Sequence, residues 1–263
     1  MSKKIRIDVL LVSEGFVESR SLAQRLIMAG EVRVDDQVVF KPAQLVDQHA
    51  VLTLDPGPQY VSRAGQKLAY GLRSFPIMVD HRICADVGAS TGGFTDCLLQ
   101  FGAARVYAID VGSGQLHWKL RQDPRVVVME KTNARYLNSL SEAMDIVVID
   151  VSFISLDKIL PAVIAWLKQN GWIVALVKPQ FEAGRESVGR GGIVKDREVH
   201  REVLLQTIAT AGELGLHARG LIQSPIRGAK GNVEFLLALS PSNGKSSQDP
   251  QSMVDAILEP KDE

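Results

Sequence analysis

The stretch CADVGASTGGFTDCLL, Cys84 to Leu99, decides how the chain is read. It runs from a buried strand through a glycine-rich turn into a helix. Such a turn presents unpaired backbone N–H groups at the positive end of a helix dipole and so receives anionic groups. A triphosphate loop ends in Gly-Lys-Ser/Thr, and GASTGGF has no lysine, which argues against ATP and GTP. The dinucleotide pattern G-x-G-x-x-G needs glycine at position 90, where Ser90 stands, so the close approach to a pyrophosphate is lost. What remains is Asp86 two before the first glycine, the small residues Gly88, Ala89, Ser90, Gly92 and Gly93, and Asp110, 24 residues beyond Asp86 at the next strand end. In a βαβ unit Asp110 lies where a carboxylate receives a ribose diol, while Asp86 is placed to meet an ammonium group. A ribose joined to a zwitterionic amino acid describes S-adenosylmethionine. The competing reading makes Asp86 a cap for the turn's own amides. Phe153, just past the fourth strand, either packs on that ligand or belongs to the core.

Outward from this turn, short apolar runs alternate with helical patterns. RICADVG, RVYAID, VVVME, DIVVID, WIVALVK and NVEFLLAL read as strands, and 94–101, 156–169 and 195–215 as helices. Continuous apolar runs suit a sheet covered on both faces, so 63–240 is expected to be a doubly wound, Rossmann-like α/β domain. Before it, residues 1–55 read as a small α+β domain. Ser19 or Ser21 caps its second helix, Gly30 ends that helix, and EVRVD and AVLTLD are strands. DPGPQY marks a linker over 56–62, and the polar stretch 241–263 reads as a mobile tail with a helical turn or two in SMVDAILE.

The other strand ends carry charge. Asp150 ends DIVVID and Lys178 ends WIVALVK, both at the carboxyl edge where α/β sheets place their chemistry. Pro179 holds Lys178 extended. Glu234 falls in an apolar run and needs a cationic partner, and Lys67, on a helix before the first strand, reaches the same rim. The chemistry that fits is methyl transfer from a sulfonium to a ribose hydroxyl. That hydroxyl needs a positioned base, and a lysine shifted from about 10.4 towards neutrality supplies one. Lys178 is the candidate base, with Lys67 and Glu234 orienting the nucleophile and Asp150 near the sulfonium. The competing reading is two buried ion pairs without chemistry, Asp150–Lys178 and Lys67–Glu234.

The bulk properties narrow the class. The 263 residues carry 30 basic and 30 acidic side chains, so any nucleic-acid binding depends on local clusters of charge. Two cysteines, Cys84 and Cys97, form neither a disulfide framework nor a zinc set, and no metal-ligand spacing is present. MSKKIRIDVLLVSEG lacks the pattern of a signal peptide, and no apolar run has membrane-spanning length, so a cytoplasmic protein is expected.

SRAGQKL, DVGASTGGFTDCLL, DVGSGQL, DPRVVVMEKTNAR, DVSFISL, LVKPQFE and GNVEFLLAL, in this order, resemble the TlyA family, named for haemolysin A and similar to FtsJ-type rRNA methyltransferases. The resemblance runs from about residue 4 to residue 239. It implies a Lys-Asp-Lys-Glu tetrad on Lys67, Asp150, Lys178 and Glu234, with S-adenosylmethionine as donor. It also implies 2′-O-methylation of cytidines in large-subunit rRNA and, for some members, small-subunit rRNA. The N-terminal domain resembles a ribosomal-protein RNA-binding module, whose positive face would be Arg6, Arg20, Arg25, Arg33 and Lys41, holding phosphates of rRNA within ribosomal subunits. Some members carry a tryptophan in the interdomain segment, where this chain has Tyr60. The long, glycine-rich FEAGRESVGRGGIV reads as a lid that orders on RNA, or as a plain solvated loop. A non-catalytic ribosome-assembly factor, a membrane-lytic protein and a dehydrogenase are the rival functions.

Overall fold

The computed structural model describes residues 4–54, 58–189, 191–241 and 249–259. The chain divides into two compact units at Gln59/Tyr60. The expected linker therefore ends earlier than residue 62: Tyr60 to Ser62 pack within the second unit, while 55–57 lie outside the described residues.

In the first unit, strand β1 (Lys4–Arg6) leads into helix α1 (Ile7–Ser13), followed by α2 (Arg20–Ala29), β2 (Val32–Val34), β3 (Gln37–Val38), β4 (Leu45–Asp47) and β5 (Leu52–Leu54). Ser19 caps α2 by accepting the Leu22 N–H at 3.3 Å, and Gly30 ends it in the left-handed conformation at φ 76°. β1 pairs antiparallel with β4, and β2 lies between β3 and β5. Ile7, Leu11, Ile27 and Val32 form the centre of this unit's core.

The second unit opens with α3 (Ala64–Ser74) and β6 (Ile83–Val87), then α4 (Gly93–Gln100), β7 (Arg105–Ile109), α5 (Trp118–Gln122), β8 (Val126–Met129) and β9 (Met144–Ile149). It continues with α6 (Leu160–Trp166), β10 (Leu167–Val177), α7 (Pro179–Glu182), α8 (Arg197–Glu213), β11 (His217–Gln223), β12 (Phe235–Ser240) and α9 (Pro250–Leu258). The sheet runs β11-β12-β10-β9-β6-β7-β8, with helices on both faces. Five strands from β10 to β8 are parallel, as their apolar runs anticipate. β12 is antiparallel to β10, and β11 to β12. HARGLIQ escaped the sequence reading as a strand because glycine and arginine break its alternation. It forms a hairpin with β12 because no crossover helix separates them. Along β12, Phe235, Leu237 and Leu239 face the core under α6 and α8, while Leu236 and Ala238 face the core under α3 and α4. Cys84 and Cys97 are free and buried, with burial pushing both thiols up to about 12.

The tail expected to be mobile is corrected in part. Residues 250–258 form α9, capped by Asp249, which accepts the Ser252 N–H at 3.0 Å. Its apolar residues recur at helical spacing, so Met253 and Val254 bury against the α8 face, and Arg201 pairs with Asp255. Residues 242–248 and 260–263 lie outside the described residues. No described helix is long and apolar enough to cross a membrane.

Strand order reverses at β6, since the chain goes out through β7 and β8 and returns on the other side through β9 and β10. A crevice opens at such a switch point, at the carboxyl ends of β6 and β9. Gly88 sits there at φ 85°, and a Cβ on it would lie 2.4 Å from the carbonyl oxygen of Asp150. Gly88→Ala is expected to cost about 2–3 kcal/mol, from the clash together with left-handed strain, measured by urea unfolding of the full chain.

Candidate active site

The turn between β6 and α4 is held from below and from one side. Gly88 and Ala89 both donate their N–H groups to the Ile109 carbonyl, at 2.9 and 3.1 Å. Asp110 accepts the Ser90 N–H at 2.8 Å and the Gly112 N–H at 2.6 Å, so each of its oxygens already fixes the turn or the loop beside it. Ser90 takes a positive φ of 48°, a role that glycine would fill more readily. Asp86 is fully buried under the turn, where one oxygen accepts the Thr95 hydroxyl at 2.7 Å. Its other oxygen, Oδ1, is buried with no partner. Burial pushes this carboxyl up to about 7; the bonds from Thr95 oppose that shift, and the charges of Asp150 and Asp110 add to it.

A cleft of about 180 Å³ opens above the turn. Gly88, Ala89, Ser90 and Gly93 form one wall, and Asp150, Ser152 and Lys178 another. Ser62 and Ala64 complete it, and these two were absent from the sequence-derived site. Their place follows from close packing: a Cβ on Gly93 would lie 2.2 Å from the Ser62 hydroxyl, and one on Gly65 would lie 2.4 Å from the Tyr60 ring. Val61 donates its N–H to Asp96 on α4 at 2.8 Å. Glu130 is a second omission. It accepts the N–H groups of Gly114, Gln115 and Leu116 and pairs with Arg121, and these bonds, that from Gly114 foremost, hold its carboxyl down at about 2. The loop it fixes presents Gln115 to the Ser90 hydroxyl at 3.4 Å. An acid closing the strand VVVME was the available signal.

The four charged candidates form two pairs. Lys178 Nζ lies 2.6 Å from Asp150 Oδ1 and donates to Ser152 Oγ at 3.1 Å. Lys67 Nζ donates to Glu234 Oε2 at 2.5 Å, and both residues are buried. Glu234 precedes β12 where the sequence reading put it inside the strand. Val177 and Phe235 are register partners on β10 and β12, so Lys178 and Glu234 stand opposite one another one step beyond, roughly 5 Å apart at Cα. The Lys178 pair lines the cleft, and the Lys67 pair does not. Gly228 packs on Glu234 closely enough that a Cβ would overlap the carboxylate.

Phe153 is not among the residues lining this cleft. It is 91% exposed, at φ 64°, with its ring 5.0 Å from that of Phe181 on α7. A left-handed phenylalanine costs about 1–2 kcal/mol, so the loop after β9 is held in place by contacts elsewhere. The glycine-rich stretch after α7 is fastened at its far end: Asn232 accepts the Val194 N–H at 3.0 Å and donates to the Gly192 carbonyl at 2.9 Å. Among the described residues no three His, Cys, Asp or Glu side chains cluster to hold a metal.

In the first unit, the buried Asp8 organises two of the five basic candidates. Arg6 and Arg20 each reach its Oδ2 at 2.9 Å, and Gln24 donates to the same atom at 2.9 Å. The Arg6 guanidinium, despite burial, holds the Asp8 carboxyl well below the usual range, helped by Gln24 and Arg20. Both arginines remain about half exposed. Arg25 lies five residues along α2 from Arg20, about 140° round the helix, and is exposed, as is Lys41. Arg33 on β2 donates to the Asp36 carbonyl at 3.2 Å. The structure thus gathers Arg6 and Arg20 on Asp8.

Comparison with known proteins places this geometry. The FtsJ-like methyltransferase family model matches residues 60–240, and the S4 domain model matches residues 5–52. The chain is 49% identical over 264 residues to YqxC, a candidate rRNA methyltransferase of Bacillus subtilis, covering 98% of this chain and 94% of that one. It is 47% identical over 243 residues to the Mycobacterium tuberculosis 16S/23S rRNA (cytidine-2′-O)-methyltransferase TlyA, covering 91% of each. A solved structure of a Streptococcus thermophilus protein described as a candidate hemolysin superposes with a TM-score of 0.74 at 44% identity, over 98% of this chain and 95% of that one.

The raised carboxyl of Asp86 has a consequence for stability. Between the ordinary carboxylate range and about 7 the folded chain holds a proton that the unfolded chain has lost. Its contribution is full at low pH and is lost as pH rises towards 7, by about 1.4 kcal/mol per unit. Subtracting the unfolding free energies of Asp86→Asn from those of the wild type across pH 4–7 is expected to give a difference that falls with pH; a flat difference would remove the assignment.

Proposed function

The chain belongs to the FtsJ-like methyltransferase family and carries an S4 domain ahead of its methyltransferase unit, and from that premise we propose that it methylates the ribose 2′-hydroxyl of cytidine in ribosomal RNA, using S-adenosylmethionine as donor. The observation that carries the reading is the cleft at the strand-order switch, where a glycine turn without a phosphate-binding lysine faces the Lys178–Asp150 pair. The acids beneath and beside the turn suit the donor. Asp86 Oδ1 is a buried acceptor without a partner, which suits an ammonium group, and Asp110 lies on the side where a ribose diol would share its oxygens. The cleft is smaller than the roughly 300 Å³ of a full small-molecule site, so it suits the methionine and sulfonium end.

S-adenosylmethionine supplies an electrophilic methyl group on a positively charged sulfur. The 2′-oxygen of the target ribose forms a bond to that methyl carbon as the carbon–sulfur bond breaks, and sulfur keeps the electron pair. Lys178 Nζ, oriented by Asp150 and Ser152, is the group placed to receive the hydroxyl proton and pass it to water. Glu234, opposite Lys178 across the β10–β12 register, and its partner Lys67 on α3 orient the nucleophile. In-line placement of two bound reactants supplies much of the rate. Exposing a paired ribose costs a few kcal/mol of unstacking, which binding of the surrounding RNA must offset. Arg6 and Arg20, ordered by Asp8, supply phosphate contacts of the S4 domain.

The test supplies methyl-labelled donor and separated, unmethylated small and large subunits. The expected outcome is label on a cytidine 2′-oxygen, with Lys178→Ala lowering kcat by about 100-fold or more while donor affinity holds. Label on a base, or none on either subunit, would overturn the reading. Arg6→Glu with Arg20→Glu is expected to raise the KM for the subunit and flatten its salt dependence, leaving the KM for donor unchanged.

A further inference from the structure

We propose that Glu182 is a positioning residue of the transfer reaction, tying α7 to the loop after β9 and so holding Lys178 against Asp150 and Ser152; this rests on the methyl-transfer reading. The two segments that carry the Lys178 cluster are each weak alone. α7 is a single helical turn that begins immediately after Lys178, and Lys178 is its N-cap without a side-chain hydrogen bond. One turn of helix does not hold itself in water. The loop from Asp150 to Ser155 is not regular structure, and it contains Phe153 in the left-handed region at φ 64°.

Three links join these segments in order along both. Lys178 meets Asp150 and Ser152, at 2.6 and 3.1 Å. The ring of Phe181 meets that of Phe153 at 5.0 Å. Glu182 accepts the Ser155 hydroxyl at 2.5 Å through one oxygen and the Leu156 N–H at 3.0 Å through the other. The first link is the one that chemistry must loosen, because Lys178 Nζ has to turn to a substrate. The second involves a phenylalanine almost wholly in water. The third is outside the cleft and uses both carboxylate oxygens, so it persists whatever Lys178 does. Glu182 also anchors the start of the 3₁₀ turn Leu156–Lys158 through the Leu156 amide. Burial pushes this carboxyl up, opposed by the two hydrogen bonds. Its four-residue distance from Lys178 lets one turn of backbone relay its position to the lysine.

The experiment compares the full-length wild type with Glu182→Ala, Glu182→Gln, Ser155→Ala and the Glu182→Ala/Ser155→Ala double variant. In the labelled-subunit assay, Glu182→Ala is expected to lower kcat by about 10- to 100-fold, with KM values for donor and subunit within about twofold. Glu182→Gln keeps one acceptor and is expected to recover part of the loss. The double variant is expected to be no worse than Glu182→Ala, since both remove one connection. A readout without turnover accompanies these. Hydrogen exchange of the Leu156 amide is expected to be about tenfold faster or more in Glu182→Ala, with the α8 and β12 amides unchanged. If Glu182→Ala fails to fold, Glu182→Gln and Ser155→Ala decide the question, each expected to lower kcat and speed Leu156 exchange. A kcat preserved in those variants, or an unchanged Leu156 exchange rate, would overturn the positioning role. A wild type that labels no RNA would instead overturn the methyl-transfer reading, and the exchange comparison would still judge the tether.

Discussion

The close approach of Gly88 to the Asp150 carbonyl is the constraint on which the second unit's site depends. A side chain at 88 would force the end of β6 away from the end of β9, and these two strand ends bound the cleft. With glycine there, the turn closes against the end of β9 with Asp150 beside it, and the N–H groups of Gly88, Ala89 and Ser90 are taken up by the Ile109 carbonyl and Asp110. Lys178, at the end of the next strand, then meets Asp150 at 2.6 Å. The chemistry of the site is thus set by backbone packing before any side chain is counted. The same logic puts Ser62 over Gly93, where only a hydrogen atom leaves room for the hydroxyl.

Charge around this frame is divided by task. Asp110 and Glu130 spend their oxygens on backbone amides and hold loops. Asp150 faces a lysine at the end of the neighbouring strand, Glu234 faces one on α3, and Glu182 joins the segments that carry the first of those pairs. Asp86 alone among these keeps a buried oxygen without a partner, and burial pushes its carboxyl up. In the first unit Asp8 does for arginines what Glu130 does for a loop, since a buried carboxylate orders half-exposed cations without neutralising the surface they present.

Much of this was legible in the sequence because it depends on local pattern. Apolar runs marked the parallel strands, Ser19 and Gly30 marked the ends of α2, and a charge at the close of each apolar run marked Asp150 and Lys178. What was not legible depends on contacts distant in sequence. Ser62 reaches the cleft only because Gly93, thirty-one residues on, lacks a side chain. Asp8 and Glu130 look like ordinary acids until their partners are seen. HARGLIQ was hidden by its glycine, and the left-handed backbone that carries the Phe153 ring into solvent has no signal in the sequence around it. SMVDAILE was underestimated because its amphipathic face has meaning only against α8.

The central claim is that the turn receives an adenosyl donor bearing an ammonium group, with Asp86 as its buried counter-charge. Calorimetric titration of the full chain with S-adenosylmethionine at pH 7, in two buffers of different ionisation enthalpy, tests it most directly, with NAD as the comparison ligand. The account predicts one donor bound per chain and release of up to about half a proton, because a carboxyl near 7 is roughly half protonated there and an ammonium partner drives it to the charged form. It also predicts that Asp86→Asn abolishes the proton release. Binding of NAD in place of the donor, or donor binding with the same proton release in Asp86→Asn, would contradict it.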